Sequence, residues 1–275
     1  MASSREGFGF TAGGAHDDRL SSIATRLHEA QQQKTVLDPL IDTWPDLDID
    51  TAYKIQQQVS DLRMQGSGVR VIGRKIGLTS KPVQQMLKVG QPDFGVLFSD
   101  MAYSSGSTVK RDTLIQPKIE GEIAFVLKRD LVGPGITAAD VLTATEGVMA
   151  CFEIVDSRIR DWKISIADTI ADNASSGLFV LGDRLVDPRS VDLSLCGLVL
   201  EKNGEVAVTG AGAAVLGSPV NAVVWLANEL GRLGVTLRAG EVILSGALAA
   251  MVVVEAGDKF RLSIGGIGSC SVNFA

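Results

Sequence analysis

Short apolar runs separated by glycines fill the chain from about residue 69 to its end. They read VRVIGRKIGL, GEIAFVL, ACFEIVDSR, GLFVLGD, GLVLEKNGEVAV, EVILSGAL and FRLSIGGIGS. Runs of this kind, rich in β-branched residues and bounded by turn residues, are typical of strands. Within them, KNGE at 202–205 predicts a two-residue hairpin turn. Many strands and few helices predict an α+β domain over residues 67–275, built on a mixed, curled and barrel-like β-sheet.

Two helices are predicted to interrupt these strands. The first begins at Thr137, where Asp140 stands three residues later in a capping-box-like pattern. The second begins at Ser218 as N-cap, followed by Pro219, a residue favoured at the first helical position.

The segment that precedes the strands predicts a small helical N-terminal region over residues 19–66. Asp50 is the predicted N-cap of its second helix. The apolar stripe of this helix consists of Ala52, Ile55, Val59 and Leu62. Residues 1–18 lack a basic segment followed by an apolar one, so they do not resemble a signal peptide, and we expect a disordered extension there.

The composition excludes several classes of function. The net charge is −6, and acidic and basic residues are interspersed, whereas a nucleic-acid-binding face needs clustered positive charge. No apolar stretch approaches the roughly 20 residues that span a bilayer. We therefore expect neither a nucleic-acid partner nor a membrane partner.

The positions of the histidines and cysteines exclude further classes of catalytic chemistry. The two histidines, His16 and His28, both lie near the N-terminus, so histidine-dependent hydrolysis and histidine-ligated zinc are not expected in the main body. The three cysteines occur singly in apolar or small-residue runs, which predicts reduced, structural thiols and a cytoplasmic protein. Any chemistry must depend on carboxylates, lysine, hydroxyls or a bound metal.

The predicted strand KIEGEIAFVL, residues 118–127, carries two glutamates in an otherwise apolar run. Because residues two apart in a strand face the same side, Glu120 and Glu122 should point together, with Ile119 and Ile123 on the other face. Two carboxylates so placed repel each other and are costly to desolvate unless a divalent cation lies between them. The alternative is an edge strand with a solvated polar face.

A third carboxylate, Glu153, follows in the strand-like run CFEIVDSR after a predicted helix. A strand–helix–strand arrangement could bring it beside the first pair. Three carboxylates suit a hard cation such as Mg²⁺ or Mn²⁺ better than Zn²⁺. The alternative for Glu153 is a structural ion pair with a nearby arginine such as Arg158.

A positively charged side chain near the three carboxylates would make the site more suitable for an anionic substrate. Lys75 in VRVIGRKIGL is a candidate, because strand alternation places Val71, Gly73, Lys75 and Gly77 on one face, and the glycines leave room around the ammonium. The alternative is an ordinary surface lysine.

Several motifs now occur together in a characteristic order: GRKIGLTS, QPDFG, QPKIEGEIAFVLKRDL, CFEIVDSRIRDWKI, DTIADNASSGLFVLG and LSGAL. With them, residues 20–275 closely resemble the 2-hydroxypenta-2,4-dienoate hydratases, also called 2-keto-4-pentenoate hydratases. These enzymes of meta-cleavage aromatic catabolism are grouped with the 4-oxalocrotonate decarboxylases in the fumarylacetoacetate hydrolase-like superfamily. The resemblance implies the corresponding catalytic fold.

The resemblance also implies roles for individual residues. Glu120, Glu122 and Glu153 match the ligands of a divalent metal, Mg²⁺ or Mn²⁺. Lys75 matches an active-site lysine, and Asp93 of QPDFG a second catalytic residue. The implied contacts for substrate oxygens are Ser175 of DNASSG and Ser245 of LSGAL.

The implied reaction is addition of water to a short 2-hydroxy-2,4-dienoate, which gives 4-hydroxy-2-oxopentanoate from the five-carbon substrate. The alternatives are a 4-oxalocrotonate-type 2-oxo acid decarboxylase, a non-catalytic scaffold for a pathway decarboxylase or aldolase, and an acylpyruvate hydrolase of the wider superfamily. The resemblance further implies a homo-oligomer and a complex with a pathway decarboxylase.

Overall fold

The computed structural model describes residues 14–86 and 89–275, which form a helical N-terminal region followed by two β-sheets with additional helices. The α-helices are α1 (Gly14–Gln33), α2 (Leu40–Thr43), α3 (Ile49–Met64), α4 (Lys81–Met86), α5 (Ala138–Ala144), α6 (Ile166–Ala171) and α7 (Pro219–Arg232). The strands are β1 (Val71–Gly77), β2 (Asp93–Phe98), β3 (Ala102–Ser104), β4 (Ser107–Val109), β5 (Lys118–Leu127), β6 (Thr145–Val155), β7 (Ser176–Leu181), β8 (Gly197–Lys202), β9 (Glu205–Ala211), β10 (Val242–Leu244), β11 (Val252–Val253), β12 (Lys259–Ile264) and β13 (Gly268–Phe274).

The helical region was predicted in outline, and the structure changes two of its details. Helix α1 begins at Gly14, so residues 14–18 of the predicted extension are helical, while residues 1–13 lie outside the described residues. Helix α3 is capped by Asp48, whose side chain accepts a hydrogen bond from the Thr51 N–H at 2.7 Å, and Asp50 lies in its first turn. Among the described residues, no helix combines the length and the hydrophobicity needed to cross a membrane.

The helical region packs onto the rest of the chain through α3 and α6. Ala52 and Ile55 of the predicted stripe are completely buried, in an apolar cluster that includes residues of α1, α2 and α6. The buried Gln56 side chain of α3 donates hydrogen bonds of 2.9 Å to the carbonyls of Phe94 in β2 and Ile170 in α6. These bonds satisfy a buried amide, so they fix the position of α3 against the sheet.

The two sheets are open and mixed, which confirms the predicted α+β class. They form two layers instead of the predicted barrel-like sheet. The larger sheet has the order β2-β1-β10-β5-β6-β7-β3, with β11 also paired to β5. Its β1–β10 and β3–β7 pairs are parallel and the remaining pairs are antiparallel. The smaller sheet has the order β4-β13-β12-β8-β9.

The smaller sheet covers one face of β5 and β6. Ile119 and Ile123 on this face are completely buried in the largest apolar cluster. A methyl group added at Gly121 would lie 2.7 Å from a methyl carbon of both Leu198 and Leu262, so only glycine lets the sheets approach this closely. The opposite face of β5, which carries the glutamates, is therefore free to form a site.

Most of the predicted local signals appear at their places. The turn of the β8–β9 hairpin is formed by Asn203 and Gly204, both with positive φ. Thr137 and Asp140 form a complete capping box at α5, and α7 begins at Pro219 after Ser218. Helices α2, α4 and α6 were not predicted. The sequence did contain a signal for α6, because Ser165 and Asp168, three residues apart, form a second capping box.

Candidate metal and active site

The structure brings the three predicted carboxylates together. Strands β5 and β6 are antiparallel neighbours, with Glu120 directly opposite Glu153 and Glu122 opposite Cys151. One carboxylate oxygen from each of Glu120, Glu122 and Glu153 lies within 4.8 Å of the others. Because β5 lies between β10 and β6, the interpretation of the glutamates as the polar face of an edge strand is wrong.

Two of these carboxylates, Glu122 and Glu153, are buried and incompletely hydrogen-bonded, and Glu120 is partly exposed. Glu122 and Glu153 are 1% and 0% exposed. One Glu122 oxygen accepts a hydrogen bond from the Gly246 N–H at 2.7 Å, whereas Glu122 Oε1 and Glu153 Oε2 have no hydrogen-bond partner. Leaving a buried carboxylate oxygen unpaired is costly, and a bound cation removes that cost.

The electrostatics of the cluster point to the same conclusion. Burial and the nearby Glu153 carboxylate raise the pKa of Glu120 to about 7. Burial, followed by repulsion from Glu153 and Glu120, raises the pKa of Glu122 well above its ordinary range. Burial also raises the pKa of Glu153. An all-oxygen set of this kind fits a hard divalent cation such as Mg²⁺ or Mn²⁺.

Lys75 faces the cluster from β1, two strands away from β5. Its ammonium lies 3.1 Å from Glu153 Oε1, and both side chains are almost fully buried. Burial by itself lowers the pKa of Lys75, but the surrounding carboxylates, Glu153 first and Asp93 next, outweigh it and raise the pKa above its ordinary value. Lys75 is therefore held as a buried cation and is not an ordinary surface lysine. The alternative ion pair of Glu153 with Arg158 is wrong, because Arg158 pairs with Asp172.

Asp93 begins β2 and lies opposite Gly77 of β1. A methyl group added at Gly77 would be 2.1 Å from Asp93 Oδ1 and 3.5 Å from Lys75 Nζ, so the glycine provides the space that these two groups occupy. Asp93 is 1% exposed, and its Oδ1 has no hydrogen-bond partner. Burial raises the pKa of Asp93, while Lys75 and a hydrogen bond from the Thr169 side chain oppose that rise.

Ser245 follows β10 directly and lies at the carboxylate cluster. Its backbone N–H donates to the Ile123 carbonyl at 3.1 Å, and the next N–H, that of Gly246, is the donor to Glu122. The Ser245 hydroxyl is completely buried and has no hydrogen-bond partner. The hydroxyl therefore has its hydrogen-bonding capacity free, one residue before the N–H that binds Glu122.

Ser175 is also buried, but it lies farther from the carboxylate cluster than Ser245 does. Its hydroxyl lies 3.4 Å from both the Thr169 hydroxyl and Asp172 Oδ2. It thus contacts the threonine that bonds Asp93, and the structure gives it no direct contact with the carboxylate cluster.

Sequence reasoning missed the network behind Ser175. The Arg158 guanidinium donates to the Asp172 carboxylate and to backbone carbonyls, including that of Ser176 at 2.9 Å. Residues 173–175 all have left-handed φ angles near 50°, which is unusual for residues other than glycine. The Asn173 side chain holds this turn against β2 by hydrogen bonds of 2.7 and 2.9 Å to the backbone of Val96. The sequence DNAS, which combines three turn-favouring side chains, was the available signal.

Comparison with known proteins agrees with this geometry. The Fumarylacetoacetate (FAA) hydrolase C-terminal family matches residues 64–275. A 2-hydroxyhexa-2,4-dienoate hydratase from Comamonas testosteroni is 55% identical over 251 residues, which cover 90% of this chain and 95% of that protein. A 2-keto-4-pentenoate hydratase from Burkholderia vietnamiensis is 52% identical over 258 residues, with coverage of 94% and 98%.

A solved structure extends the likeness to almost the whole chain. The 4-oxalocrotonate decarboxylase from Pseudomonas putida G7, complexed with magnesium and adipate, superimposes with a TM-score of 0.91 at 35% identity and covers 97% of this chain and 100% of its own. The chain therefore belongs to the fumarylacetoacetate hydrolase family, and within it to the group that contains the 2-keto-4-pentenoate hydratases.

Proposed function

We propose that this protein is a metal-dependent hydratase of meta-cleavage aromatic degradation, which adds water to 2-hydroxypenta-2,4-dienoate to give 4-hydroxy-2-oxopentanoate. The observation that carries the proposal is the buried cluster of Glu120, Glu122 and Glu153 facing Lys75 and Asp93, in a chain more than half identical to named hydratases. The proposed cofactor is Mg²⁺ or Mn²⁺, held by the three glutamates.

When bound, the metal supplies Lewis-acid polarisation of substrate oxygens and neutralises part of the cluster's negative charge. The protein's own residues then handle the protons. In the overall reaction, the substrate's C2 hydroxyl loses a proton and C5 gains one, which leaves a 2-oxo-3-enoate. Water oxygen then bonds to C4, one of its protons is lost, and C3 is protonated.

Lys75 is proposed to stabilise negative charge on the C2 oxygen. The surrounding carboxylates hold it in the ammonium form, so it is a poor general base but a well-placed fixed positive charge. Such charges act most strongly in a buried site, where water does not screen them.

Asp93 is proposed to carry protons. Burial raises the pKa of Asp93 towards neutral pH. A carboxyl group with such a pKa can both accept and donate a proton. Its unpartnered Oδ1 gives it an oxygen available to substrate or water. Ser245 is proposed to bond a substrate oxygen at the cluster, and Ser175 to act at a distance through Thr169.

The decarboxylase alternative uses the same kind of site. It is less well supported, because the named hydratases are 52–55% identical to this chain and the named decarboxylase is 35% identical. The scaffold alternative predicts no turnover by the isolated protein. It is disfavoured by a cluster of buried carboxylates that a scaffold does not need.

The test begins with purified protein stripped of metal by a chelator. Mg²⁺ or Mn²⁺ is added back, and loss of the dienoate and release of CO₂ are followed in parallel for substrates of different chain length. Metal-dependent loss of the dienoate without CO₂ supports the hydratase. CO₂ release from a 2-oxo diacid supports the decarboxylase, and inactivity that Glu120→Gln does not change supports the scaffold.

Two further assignments are part of the proposal. The three cysteines are free and buried, in keeping with a reducing, cytoplasmic environment. Assembly into a homo-oligomer and a complex with a pathway decarboxylase stay predictions from the family resemblance, and size measurement of the purified protein, alone and with the decarboxylase, tests both.

A further inference from the structure

The face of β5 that carries the glutamates also carries a lysine. Lys118 is two residues before Glu120, so its side chain projects from the same face of the strand. Exposure increases along this face: Glu122 is buried, whereas Glu120 and Lys118 are partly exposed. The Lys118 end is therefore where the carboxylate cluster opens towards solvent.

An aromatic side chain holds Lys118 at this opening. The Lys118 ammonium lies 4.4 Å from the centre of the Trp162 ring, a distance typical of a cation–π interaction. The Trp162 indole N–H donates a 3.0 Å hydrogen bond to the carbonyl of Gln116, two residues before Lys118. Trp162 and the preceding Asp161 both have left-handed φ angles, and such backbone strain in residues other than glycine is concentrated at functional sites.

The charge balance of the site indicates that a further positive charge is needed to bind the substrate. When ionised, Glu120, Glu122, Glu153 and Asp93 carry four negative charges, and Lys75 with a divalent cation balances only three of them. The substrate is itself an anion, so the remaining charge would repel it. Lys118 supplies the missing positive charge, and two residues along a strand span about 7 Å, a gap that a lysine side chain can bridge.

We propose that Lys118, positioned by Trp162, is a substrate-binding residue that recognises the carboxylate of the 2-oxo or 2-hydroxy acid at the mouth of the site. This inference rests on the proposed function for the class of substrate. It assigns Lys118 to anion binding, and it leaves the bond-making steps to the residues deeper in the site. Trp162 is a positioning residue, because it acts through Lys118.

The test uses the full chain loaded with Mg²⁺ and a saturated 2-oxo acid, 2-oxopentanoate, which binds without being hydrated. Calorimetry of Lys118→Gln should give a dissociation constant about tenfold higher than wild type, the loss typical of a charged hydrogen bond. Lys118→Arg should recover most of the affinity. Trp162→Leu should give an intermediate loss, because the charge is retained and its position is not.

Two controls separate this role from a structural one. Lys128, just beyond the opposite end of β5, lies 3.7 Å from Glu146 and away from the carboxylate cluster, so Lys128→Gln should leave 2-oxopentanoate binding unchanged. Mg²⁺ affinity measured without the acid should be unchanged or tighter in Lys118→Gln, because a positive charge near Glu120 has been removed.

Wild-type affinity for 2-oxopentanoate in Lys118→Gln would overturn the inference, and so would parallel loss of Mg²⁺ and 2-oxopentanoate binding. Where the dienoate is turned over, KM of Lys118→Gln should rise and kcat should stay within about threefold. A wild-type protein that binds 2-oxopentanoate but does not hydrate the dienoate would refute the proposed function and leave this inference intact.

Discussion

The ammonium of Lys75 lies 3.1 Å from a carboxylate oxygen of Glu153, although the two residues are on strands separated by β10 and β5 in the larger sheet. The pair is buried, and Glu153 is at the same time one of the three carboxylates that can hold a metal. A single side chain thus couples the positive charge of Lys75 to the metal site. The relationship makes the roles of metal and lysine separable by experiment.

Replacing Lys75 by methionine should reduce kcat by at least about a hundredfold, the scale of losing one preorganised charge in a buried site. Mg²⁺ binding should persist or become tighter, because a positive charge beside Glu153 is removed. Calorimetry with Mg²⁺ and steady-state assay of dienoate loss measure the two effects. Lys128→Met, at an exposed lysine 3.7 Å from Glu146, is the control. Full turnover by the Lys75 variant would contradict the proposed role.

The chelator-treated protein should lose stability as pH rises from about 4.5 to about 7. The pKa of Glu120 is about 7 in the folded chain against an ordinary 4.5, so between these values the folded state binds more protons than the unfolded state. Stability then falls with rising pH through this window. Mg²⁺ should reverse the trend, because it stabilises the ionised carboxylates, and its stabilisation should increase with pH. Thermal unfolding at several pH values, with and without Mg²⁺, checks this, and a flat profile without metal would refute it.

Strand β5 shows most clearly how much of the site could be predicted from the sequence. Its period of two placed Glu120 and Glu122 on one face and Ile119 and Ile123 on the other, and the structure has this arrangement. Alternation is a local rule, so one strand was enough to apply it. The requirement for Gly121 was not visible, because it comes from leucines of the other sheet.

The parts that were missed depend on contacts between distant segments. The stretch DLDID offers three aspartates as caps for α3, and the structure uses Asp48, one turn before the buried Ala52. The pairing of Arg158 with Asp172 requires the chain after α6 to return to the end of β6, and the bond from Thr169 to Asp93 requires α6 to pack beside β2. No local pattern specifies that packing, so tertiary structure was needed to find these residues.

The Thr169 side chain should tune Asp93 without taking part in the chemistry. Its hydrogen bond lowers the pKa of Asp93, so Thr169→Val should move the pH dependence that Asp93 governs to higher pH. Thr169→Ser keeps the hydroxyl and should retain the wild-type profile. Asp93→Asn should lose about a hundredfold in kcat at every pH, as expected for removal of a general acid–base group. The pH profile of kcat/KM measures these effects, and a Thr169→Val profile that matches wild type would exclude the coupling.

Two glycines of the larger sheet should respond differently to the same substitution, one mainly by a loss of stability and the other mainly by a loss of activity. In Gly121→Ala, the added methyl lies 2.7 Å from the buried Leu198 and Leu262, so we expect a loss of about 1–3 kcal/mol in the free energy of unfolding from overpacking. In Gly77→Ala, it lies 2.1 Å from Asp93 Oδ1 and must displace that carboxylate.

Activity at Gly77 should therefore fall further than stability does, by at least about tenfold in kcat, because a displaced acid–base group loses most of its effect. Denaturant unfolding and steady-state kinetics on both variants provide the comparison. Each variant is the control for the other, since both add one methyl group to a strand of the larger sheet. If Gly77→Ala kept wild-type kcat, the position of Asp93 at Gly77 would have no bearing on catalysis.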